Sequence, residues 1–348
     1  MQTYPSVRSA VLATFLVLFF IISWELYVRY KGVAPDFDDS PELWANKRAM
    51  VYEPANSATV FIGSSRIKYD LDIDTWEKLT GTHAIQLAMP GSTPRPLFDD
   101  LANDPAFKGK LVVDVTEILF FNLAPYNSQS PMAGINYYKS RTPAQSVSIL
   151  LDKPMEANLA FLNSGFLSLN ALINKLHVPD RPGIHSGPEF PQDFTPNMFN
   201  RQSKMTDRFL ADTNLQNEVK GVWTMLGKDR TPPMNGKVLD GFMQGVKNDV
   251  LKIKARGGDV IFVRTPSNPP MFIGESMAYP RKLYWDRLLD VTGCKGVYFA
   301  DYPATARLVC PEWSHLSPNN AIVYTKSLVD IFEKEKGWEF NKTGRQNY

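Results

Sequence analysis

The longest apolar run of the chain lies near its N-terminus. Ser9–Trp24 carries no charge, and apolar residues resume after Glu25. An α-helix rises about 1.5 Å per residue, so a helix over Ser9–Val28 is long enough to cross the roughly 30 Å hydrocarbon core of a bilayer. The pattern therefore predicts a transmembrane anchor over residues 1–31.

Two other interpretations of this segment stay open, a cleaved signal peptide and a buried core helix. No small-x-small cleavage site follows the apolar run, and Trp24, Tyr27 and Tyr30 are typical of an interfacial aromatic belt, which favours the anchor. Arg8 precedes the run, and Glu25–Trp44 holds five acids against Arg29 and Lys31. By the positive-inside rule, we expect a single-pass protein of the inner or cytoplasmic membrane with an extracytoplasmic C-terminal domain, periplasmic in a Gram-negative cell.

Beyond a polar stalk over residues 32–55, strand-length apolar runs alternate with helical patterns. The predicted strands are Ala58–Ile62, His83–Ala88, Lys110–Val115, Asp259–Arg264 and Gly296–Ala300. The predicted helices are Pro41–Met50, Asp74–Thr80, Pro94–Asn103, Val238–Ala255, Tyr279–Val291 and Asn319–Lys334. This alternation predicts an α/β domain over residues 56–348, with a central parallel sheet covered by helices on both faces in three α/β/α layers.

The alternation stops between about residues 120 and 233. Helical patterns at Ala144–Leu176 and Lys204–Leu226 flank a Pro-rich loop, Val178–Pro196. We interpret this stretch as a mostly helical insertion in the α/β domain. Because it leaves the domain directly after the third strand, we expect it to cover the strand ends and shape a substrate groove.

Composition and spacing narrow the classes of ligand. The 38 basic and 36 acidic residues are spread along the 348 positions without a block of one sign, so no nucleic-acid partner is expected. No metal-ligand spacing and no Gly-rich phosphate loop is present, so neither a metal nor a cofactor is predicted. Cys294 and Cys310 are the only cysteines. They form either one disulfide or two buried thiols.

Candidate chemistry lies where the predicted strands end, which is where open parallel sheets bind ligands. The segments after the strands are Gly63-Ser64-Ser65-Arg66, Pro90-Gly91, Thr116-Glu117, Arg264-Thr265 and, before the last helix, Glu312-x-x-His315. A serine, a glycine turn and a Glu-x-x-His therefore meet at one edge. Acyl transfer needs the same parts: a nucleophile, oxyanion donors, and a base oriented by a carboxylate.

Each of these residues has a structural alternative. Ser65 is a candidate nucleophile but would also suit a helix cap. His315 is a candidate base, and Glu312 is either its carboxylate partner or an acid favoured by a helix dipole. Gly91 is either an oxyanion donor or a glycine that its turn requires.

For several charged residues near these strand ends, two interpretations of their role are also open. Arg66 and Arg264 are candidates for contacting an anionic or hydroxyl-rich substrate, and the alternative for Arg66 is an ion pair with Asp114 or Glu117. Asp70 and Asp72 are alternative carboxylates for the base, although we expect both to face solvent.

The arrangement resembles the SGNH/GDSL hydrolase family over roughly residues 56–118 and 237–335. In the family's first block the serine lies two residues after the glycine, which selects Ser65 as the nucleophile over Ser64. Gly91 matches the family's oxyanion glycine, and Glu312-x-x-His315 resembles its Asp-x-x-His block. The resemblance implies that the backbone N–H groups of Ser65 and Gly91 bind the oxyanion.

Two departures from the family pattern affect the expected activity. Glu312 stands where the family usually has Asp, and the third block, Gly-x-Asn-Asp, is replaced by Asp114-Val115-Thr116-Glu117. The family's Asn donates a hydrogen bond to the oxyanion, so Thr116 or Arg66 is expected to substitute for it. Loss of one such donor typically lowers the rate about 10²–10³-fold.

The resemblance implies serine-dependent acyl transfer or ester hydrolysis, of the O-acetyl type, on a cell-envelope or secreted polysaccharide. It also implies a membrane-bound O-acyltransferase as partner. Transferase and esterase share one covalent intermediate, so both stay open. Two alternatives remain: a catalytically silent scaffold or glycan-binding component of a polysaccharide complex, which the two departures favour, and a thioesterase or D-alanyl-transfer accessory protein.

Overall fold

A computed structural model describes residues 7–174, 176, 190–227 and 231–340. The strands are β1 Ala58–Ile62, β2 His83–Gln86, β3 Lys110–Asp114, β4 Asp259–Arg264 and β5 Lys295–Tyr298. The α-helices are α1 Val7–Tyr30, α2 Pro41–Ala49, α3 Ser65–Asp70, α4 Ile73–Thr80, α5 Arg95–Asn103, α6 Glu117–Phe120, α7 Gln129–Ser140, α8 Pro143–Asn158, α9 Ser164–Leu167, α10 Leu169–Asn174, α11 Asp207–Ala211, α12 Thr213–Leu226, α13 Gly236–Ala255, α14 Met271–Ala278, α15 Trp285–Thr292, α16 Pro303–Ala306 and α17 Pro318–Lys334. Short 3₁₀ turns lie at Met50–Tyr52, Pro125–Ser128, Ala160–Leu162, Gln192–Phe194 and Phe299–Asp301.

The chain divides into two compact units. The first, called here the anchor unit, combines Met1–Asp38 with Val147–Gly187. The second, called the sheet unit, combines Asp39–Ser146 with Pro188–Tyr348. Part of the predicted insertion therefore groups with the N-terminal helix, and the remainder stays with the sheet.

The sheet unit is built on five parallel strands in the order β2-β1-β3-β4-β5. Val60 of β1 aligns with Ile85 of β2 on one side and with Leu111 of β3 on the other. Nearly every residue of the three inner strands β1, β3 and β4 is buried, as expected of a parallel sheet covered on both faces. The predicted α/β class and parallel sheet are confirmed.

The direction of each crossover decides which face each helix covers. The chain steps to one side from β1 to β2 and then to the other side through β3, β4 and β5. Because parallel crossovers are right-handed, α4 covers one face, and α5, α13 and α15 cover the opposite face. Helix α17 packs on α3 and α4, and α13 packs on α5 and α15. The direction of the crossovers changes between β1 and β3, and the carboxyl ends of strands at such a position are where sheets of this kind usually bind ligands.

Helix α1 is the long apolar element that the sequence predicts. It has 24 residues and a mean hydropathy of 2.2 over its most apolar window, which makes it long and apolar enough to cross a membrane. Its apolar side chains are mostly exposed, unlike those of a core helix.

Three predicted helices are wrong in their extent. Residues 279–291 do not form one helix, because α14 ends before Pro280 and α15 starts at Trp285. Residues 204–226 divide at Asp212, whose side chain caps the N-terminus of α12. Residues 144–176 form α8, α9 and α10, and Val178–Pro196 lies largely outside the described residues.

Helices α3, α6, α7, α14 and α16 were not predicted. The first two have only six and four residues, too short for a periodic signal to emerge from the sequence. Strand β2 ends two residues earlier than predicted, β3 ends one earlier, and β5 is displaced towards the N-terminus.

Candidate active site

The turn after β1 places Ser65 at the start of α3. Ser64 is the N-cap of this helix, and its Oγ accepts the N–H of Arg66 at 3.4 Å. The capping role considered for Ser65 therefore belongs to Ser64. Ser65 is the first helical residue, and its side chain is half-buried at the carboxyl end of β1.

Gly63 is required by the close approach of β1 and β3 at this point. A Cβ added to Gly63 would lie 2.5 Å from Cβ of Asp114 and 2.7 Å from Cγ2 of Ile67. Real Cβ atoms do not come so close to another carbon, so no larger residue fits without displacing the turn. The glycine thereby brings the Ser65 turn against the end of the neighbouring strand.

Three side chains that the sequence singled out form a continuous hydrogen-bonded relay. Ser65 Oγ lies 2.8 Å from Nε2 of His315, and Nδ1 of His315 lies 3.0 Å from Oε1 of Glu312. His315 and Glu312 are fully buried. With the Nδ1 hydrogen donated to the carboxylate, Nε2 is free to accept the Ser65 hydroxyl proton, as a general base must.

The glutamate is held by more than the histidine ring. Its Oε1 accepts the backbone N–H of His315 at 2.6 Å and that of Ser314 at 3.3 Å. Its Oε2 accepts the indole N–H of Trp223. Trp313, inside this turn, has a φ of 80°, a strained conformation for a bulky residue. The turn folds the longer Glu312 side chain back towards His315, which compensates for the extra methylene relative to Asp.

An aromatic wall encloses the imidazole of His315. Ring centroids of Tyr69, Phe194 and Trp223 lie 4.6, 5.5 and 5.8 Å from it. The Tyr69 hydroxyl donates to the carbonyl of Phe194 at 2.7 Å. Exclusion of water by such a wall strengthens the hydrogen bonds inside it.

Phe194 and Trp223 come from the part of the insertion that stays in the sheet unit, residues 190–227. This part therefore packs against the base, and its expected role in shaping a substrate groove stays a prediction. Neither residue was predicted from the sequence, because no local motif links an aromatic side chain to a distant Glu-x-x-His.

The turn around Gly91 is hydrogen-bonded to the turn after β1 and to the 3₁₀ turn Pro125–Ser128. The N–H of Met89 donates to the carbonyl of Gly63 at 3.2 Å, and the N–H of Thr93 donates to that of Asn127 at 3.0 Å. Gly91 itself has a φ of 62°, the left-handed region that favours glycine. Backbone conformation alone accounts for this glycine, so its oxyanion role stays a prediction.

Thr116 is not available as the predicted oxyanion donor. Its Oγ1 lies 3.0 Å from Oδ2 of Asp114 and 2.7 Å from Oγ of Ser64. A hydroxyl has one proton, and either arrangement of this buried network uses it. Thr116 instead ties the end of β3 to the turn that carries Ser65.

The prediction that Arg66 and Arg264 contact a substrate is not supported, because both side chains are buried in ion pairs. Their exposed fractions are only 2% and 0%. Arg66 pairs with Glu275 and donates to Ser314 Oγ at 3.2 Å, while Arg264 pairs with Glu275 and with Glu117 at 3.1 Å. The anticipated ion pair of Arg66 is thus formed with Glu275, not with Asp114 or Glu117.

This buried ion-pair cluster lies directly beside the relay. Burial by itself raises the pKa of Glu275, but Arg66 and Arg264 outweigh this effect and lower it to about 2. Glu275 is therefore a carboxylate at neutral pH. Through Arg66, which follows Ser65, and Ser314, which precedes His315, the cluster links the nucleophile turn to the base turn.

Asp70 and Asp72 are both buried, contrary to the expected solvent exposure. Asp72 caps the N-terminus of α4, and Oδ1 of Asp70 accepts the N–H of Leu316 at 2.8 Å, so Asp70 supports the chain next to His315 rather than the imidazole. Burial raises the pKa of its carboxyl well above the usual range, and the nearby Asp114 raises it further.

Cys294 and Cys310 are both free and buried. The disulfide considered from the sequence is not formed. Burial raises the pKa of the Cys310 thiol well above its usual value, which leaves it protonated and unreactive.

Within the described ranges, no group of three or more His, Cys, Asp or Glu residues is arranged to hold a metal ion. No model of a known protein family matches the chain, and no curated protein matches its sequence. The geometry of the site therefore carries the functional assignment.

Proposed function

We propose that this protein is a serine acyl enzyme of the SGNH type, an esterase or O-acyltransferase with a Ser65-His315-Glu312 triad. The observation that carries the proposal is the relay itself, with 2.8 Å from Ser65 Oγ to His315 Nε2 and 3.0 Å from His315 Nδ1 to Glu312. It lies at the carboxyl end of β1, next to the reversal of strand order where ligands bind in such sheets.

The proposed reaction has two steps. Ser65 Oγ attacks the acyl carbonyl while its proton moves to His315 Nε2, and Glu312 stabilises the imidazolium that forms. The N–H groups of Ser65 and Gly91 bind the negatively charged oxygen. The proton then passes from His315 to the departing alcohol, which leaves an acyl ester on Ser65. Water or a sugar hydroxyl attacks this ester with His315 as base, which frees Ser65.

The proposed substrate is an O-acetylated polysaccharide of the cell envelope or a secreted polysaccharide. A helix able to span a membrane supports it, since that helix would hold the site near the cell surface. A membrane-bound O-acyltransferase is the proposed partner if the enzyme transfers acyl groups. The hydrogen-bonded relay favours this function over a silent scaffold, because a scaffold does not need a buried carboxylate aligned on a histidine.

A fluorophosphonate probe tests the proposed nucleophile directly. We expect the full-length protein in detergent to become labelled and the Ser65→Ala variant not to be labelled. Ser64→Ala is the matched control, since it removes a neighbouring hydroxyl that caps α3 and leaves the relay intact. Folded wild-type protein that resists the probe, or equal labelling of Ser65→Ala, would show that the proposal is wrong.

Hydrolysis of 4-nitrophenyl acetate then separates the two reaction types. Release of nitrophenol in water that depends on Ser65 and His315 supports an esterase. A labelled enzyme that turns over only when a sugar acceptor is added is a transferase.

A further inference from the structure

Helix α8 in the anchor unit presents an apolar face to solvent. Val147, Leu150, Leu151 and Met155 recur at helical spacing, and each is between 47% and 69% exposed. These positions fall on one side of an α-helix, since residues three and four apart are neighbours on its surface.

The side of α8 that carries Asp152 and Glu156 faces the protein, opposite the exposed apolar side. Ile149 is buried, and Asp152 and Glu156, which lie near it around the helix, are partly buried. A surface helix of a water-soluble protein has the opposite arrangement, with leucines inside and carboxylates outside. Contact between water and the exposed apolar side of α8 is therefore unfavourable.

Helix α10 and the residue two positions beyond it continue the same pattern. Leu169, Leu172, Ile173 and Leu176 are between 46% and 73% exposed and also repeat at three- and four-residue intervals. Two neighbouring segments of the anchor unit thus expose large aliphatic side chains on one side each. Exposed apolar surface of this kind marks an interaction site.

Hydrogen bonds hold these segments to the end of α1. Glu25, directly after the charge-free run, accepts the N–H groups of Ala160 and Phe161 at 2.9 and 3.1 Å. Arg29 pairs with Glu25 and donates to the carbonyl of Asn158 at 2.8 Å. The C-terminal end of α8 is therefore fixed at the level where the apolar part of α1 ends.

Two further contacts secure the chain between α8 and α10. Asn163 Nδ2 donates to the carbonyl of Ala34 at 3.1 Å, and the hydroxyl of Ser164 donates to the carboxylate of Asp38. The segment after α1 and the segment before α10 are thus joined. Both apolar sides belong to the same compact unit as the helix able to span a membrane.

We propose that the exposed sides of α8 and α10 form a lipid-docking surface that lies on the bilayer beside the anchor. The occupant is the membrane surface, because the apolar sides continue from the point where α1 leaves its apolar stretch. Interfacial helices bury their apolar side roughly 5–10 Å into the headgroup and acyl boundary. This proposal depends on α1 crossing the membrane and is independent of the proposed enzymatic activity.

Fluorescence quenching in vesicles tests the lipid-docking surface. The full-length protein, carrying Leu151→Cys or Leu169→Cys labelled with an environment-sensitive fluorophore, is reconstituted into phosphatidylcholine–phosphatidylglycerol vesicles that contain doxyl lipid. The native thiols are buried and do not compete for the label. Lys153→Cys is the matched control, two residues along α8 and about 200° around it from Leu151. Leu16→Cys in α1 is the control within the lipid.

We expect doxyl lipid to reduce the emission at positions 151 and 169, as at position 16, and iodide in the water to have little effect there. Position 153 should show the reverse. Emission at 151 and 169 that iodide quenches and doxyl lipid leaves unchanged would overturn the proposal. The vesicles contain no other protein. If a partner protein, rather than lipid, covers this surface in the cell, positions 151 and 169 will therefore be quenched by iodide and not by doxyl lipid, which is the overturning result.

Discussion

At the scale of single residues, Glu312 shows how a longer carboxylate serves in place of Asp. Four hydrogens point at its two oxygens: two from backbone N–H groups, one from the His315 ring and one from the indole of Trp223. A carboxylate accepts all four, whereas an amide cannot, because one of its two heavy atoms is a donor.

Glu312→Gln should therefore lower kcat for an acetyl ester by about 10²–10⁴-fold. The reason is that the new NH₂ group faces another donor in either orientation of the amide. In one orientation it faces the Trp223 indole N–H, and in the other it faces the His315 ring and the backbone N–H groups of Ser314 and His315. If the indole is the obstacle, the double variant Glu312→Gln with Trp223→Phe should be more active than Glu312→Gln alone, since the NH₂ can then take the place left by the indole.

Steady-state hydrolysis of 4-nitrophenyl acetate by the wild type, both single variants and the double variant measures this coupling. Trp223→Phe alone is the control for the loss of one hydrogen bond. Strict additivity of the two changes would contradict the role assigned to Trp223.

At the scale of elements, α8 holds an acid whose environment makes it sensitive to pH. Burial raises the pKa of Glu156 from 4.5 to about 7, and the neighbouring carboxylates of Asp38, Asp152 and Asp36 add to the rise. A backbone hydrogen bond to Glu156 opposes it only in part. The packing of α8 within the anchor unit is therefore linked to protonation of this residue.

The direction in which stability changes with pH follows from the number of protons bound in the folded and unfolded states. Between about pH 4.5 and pH 7 the folded protein holds the Glu156 proton and the unfolded chain releases it, so stability falls as pH rises through this window. We expect hydrogen exchange of the α8 amides, corrected for intrinsic rates, to become faster from about pH 5 to about pH 8 in the wild type. Glu156→Gln should weaken this dependence. An unchanged dependence in Glu156→Gln would show that another group controls α8.

At the scale of the whole molecule, one chain combines an all-parallel sheet with a helix able to span a membrane. The proposed function requires the sheet unit to lie outside the cytoplasm, because the proposed substrate is there. Arg8 precedes the apolar run and Arg29 and Lys31 follow it, so the basic residues flanking α1 leave the orientation to be decided by experiment.

Labelling with a membrane-impermeant maleimide checks the orientation. Lys326→Cys lies on an exposed position of α17 and should be labelled in intact cells, whereas Gln2→Cys, which leaves Arg8 in place, should be labelled only after the membrane is permeabilised. The wild type, with two buried thiols, is the unlabelled control. The reverse pattern would place the sheet unit in the cytoplasm and remove the polysaccharide substrate.

The sequence by itself determined the long apolar helix α1, the α/β class and the bounds of β1 and β4. These features depend on local periodicity, which a stretch of chain shows wherever it is placed. It also placed Ser65 and the Glu312-x-x-His315 turn at strand ends, because a parallel sheet brings all carboxyl ends to one edge. Short helices and the break at Pro280 were predicted poorly, since few residues carry each signal.

Only the tertiary structure decided which partners meet. Trp223 reaches Glu312 across 89 residues of chain and Arg66 reaches Glu275 across 209, and nothing in the local pattern relates them. Likewise, only packing buries Asp70 and uses the Thr116 proton inside the protein. Hydrogen bonds and ion pairs act over a few ångströms in space, so their partners are fixed by how the chain closes and not by where residues stand along it.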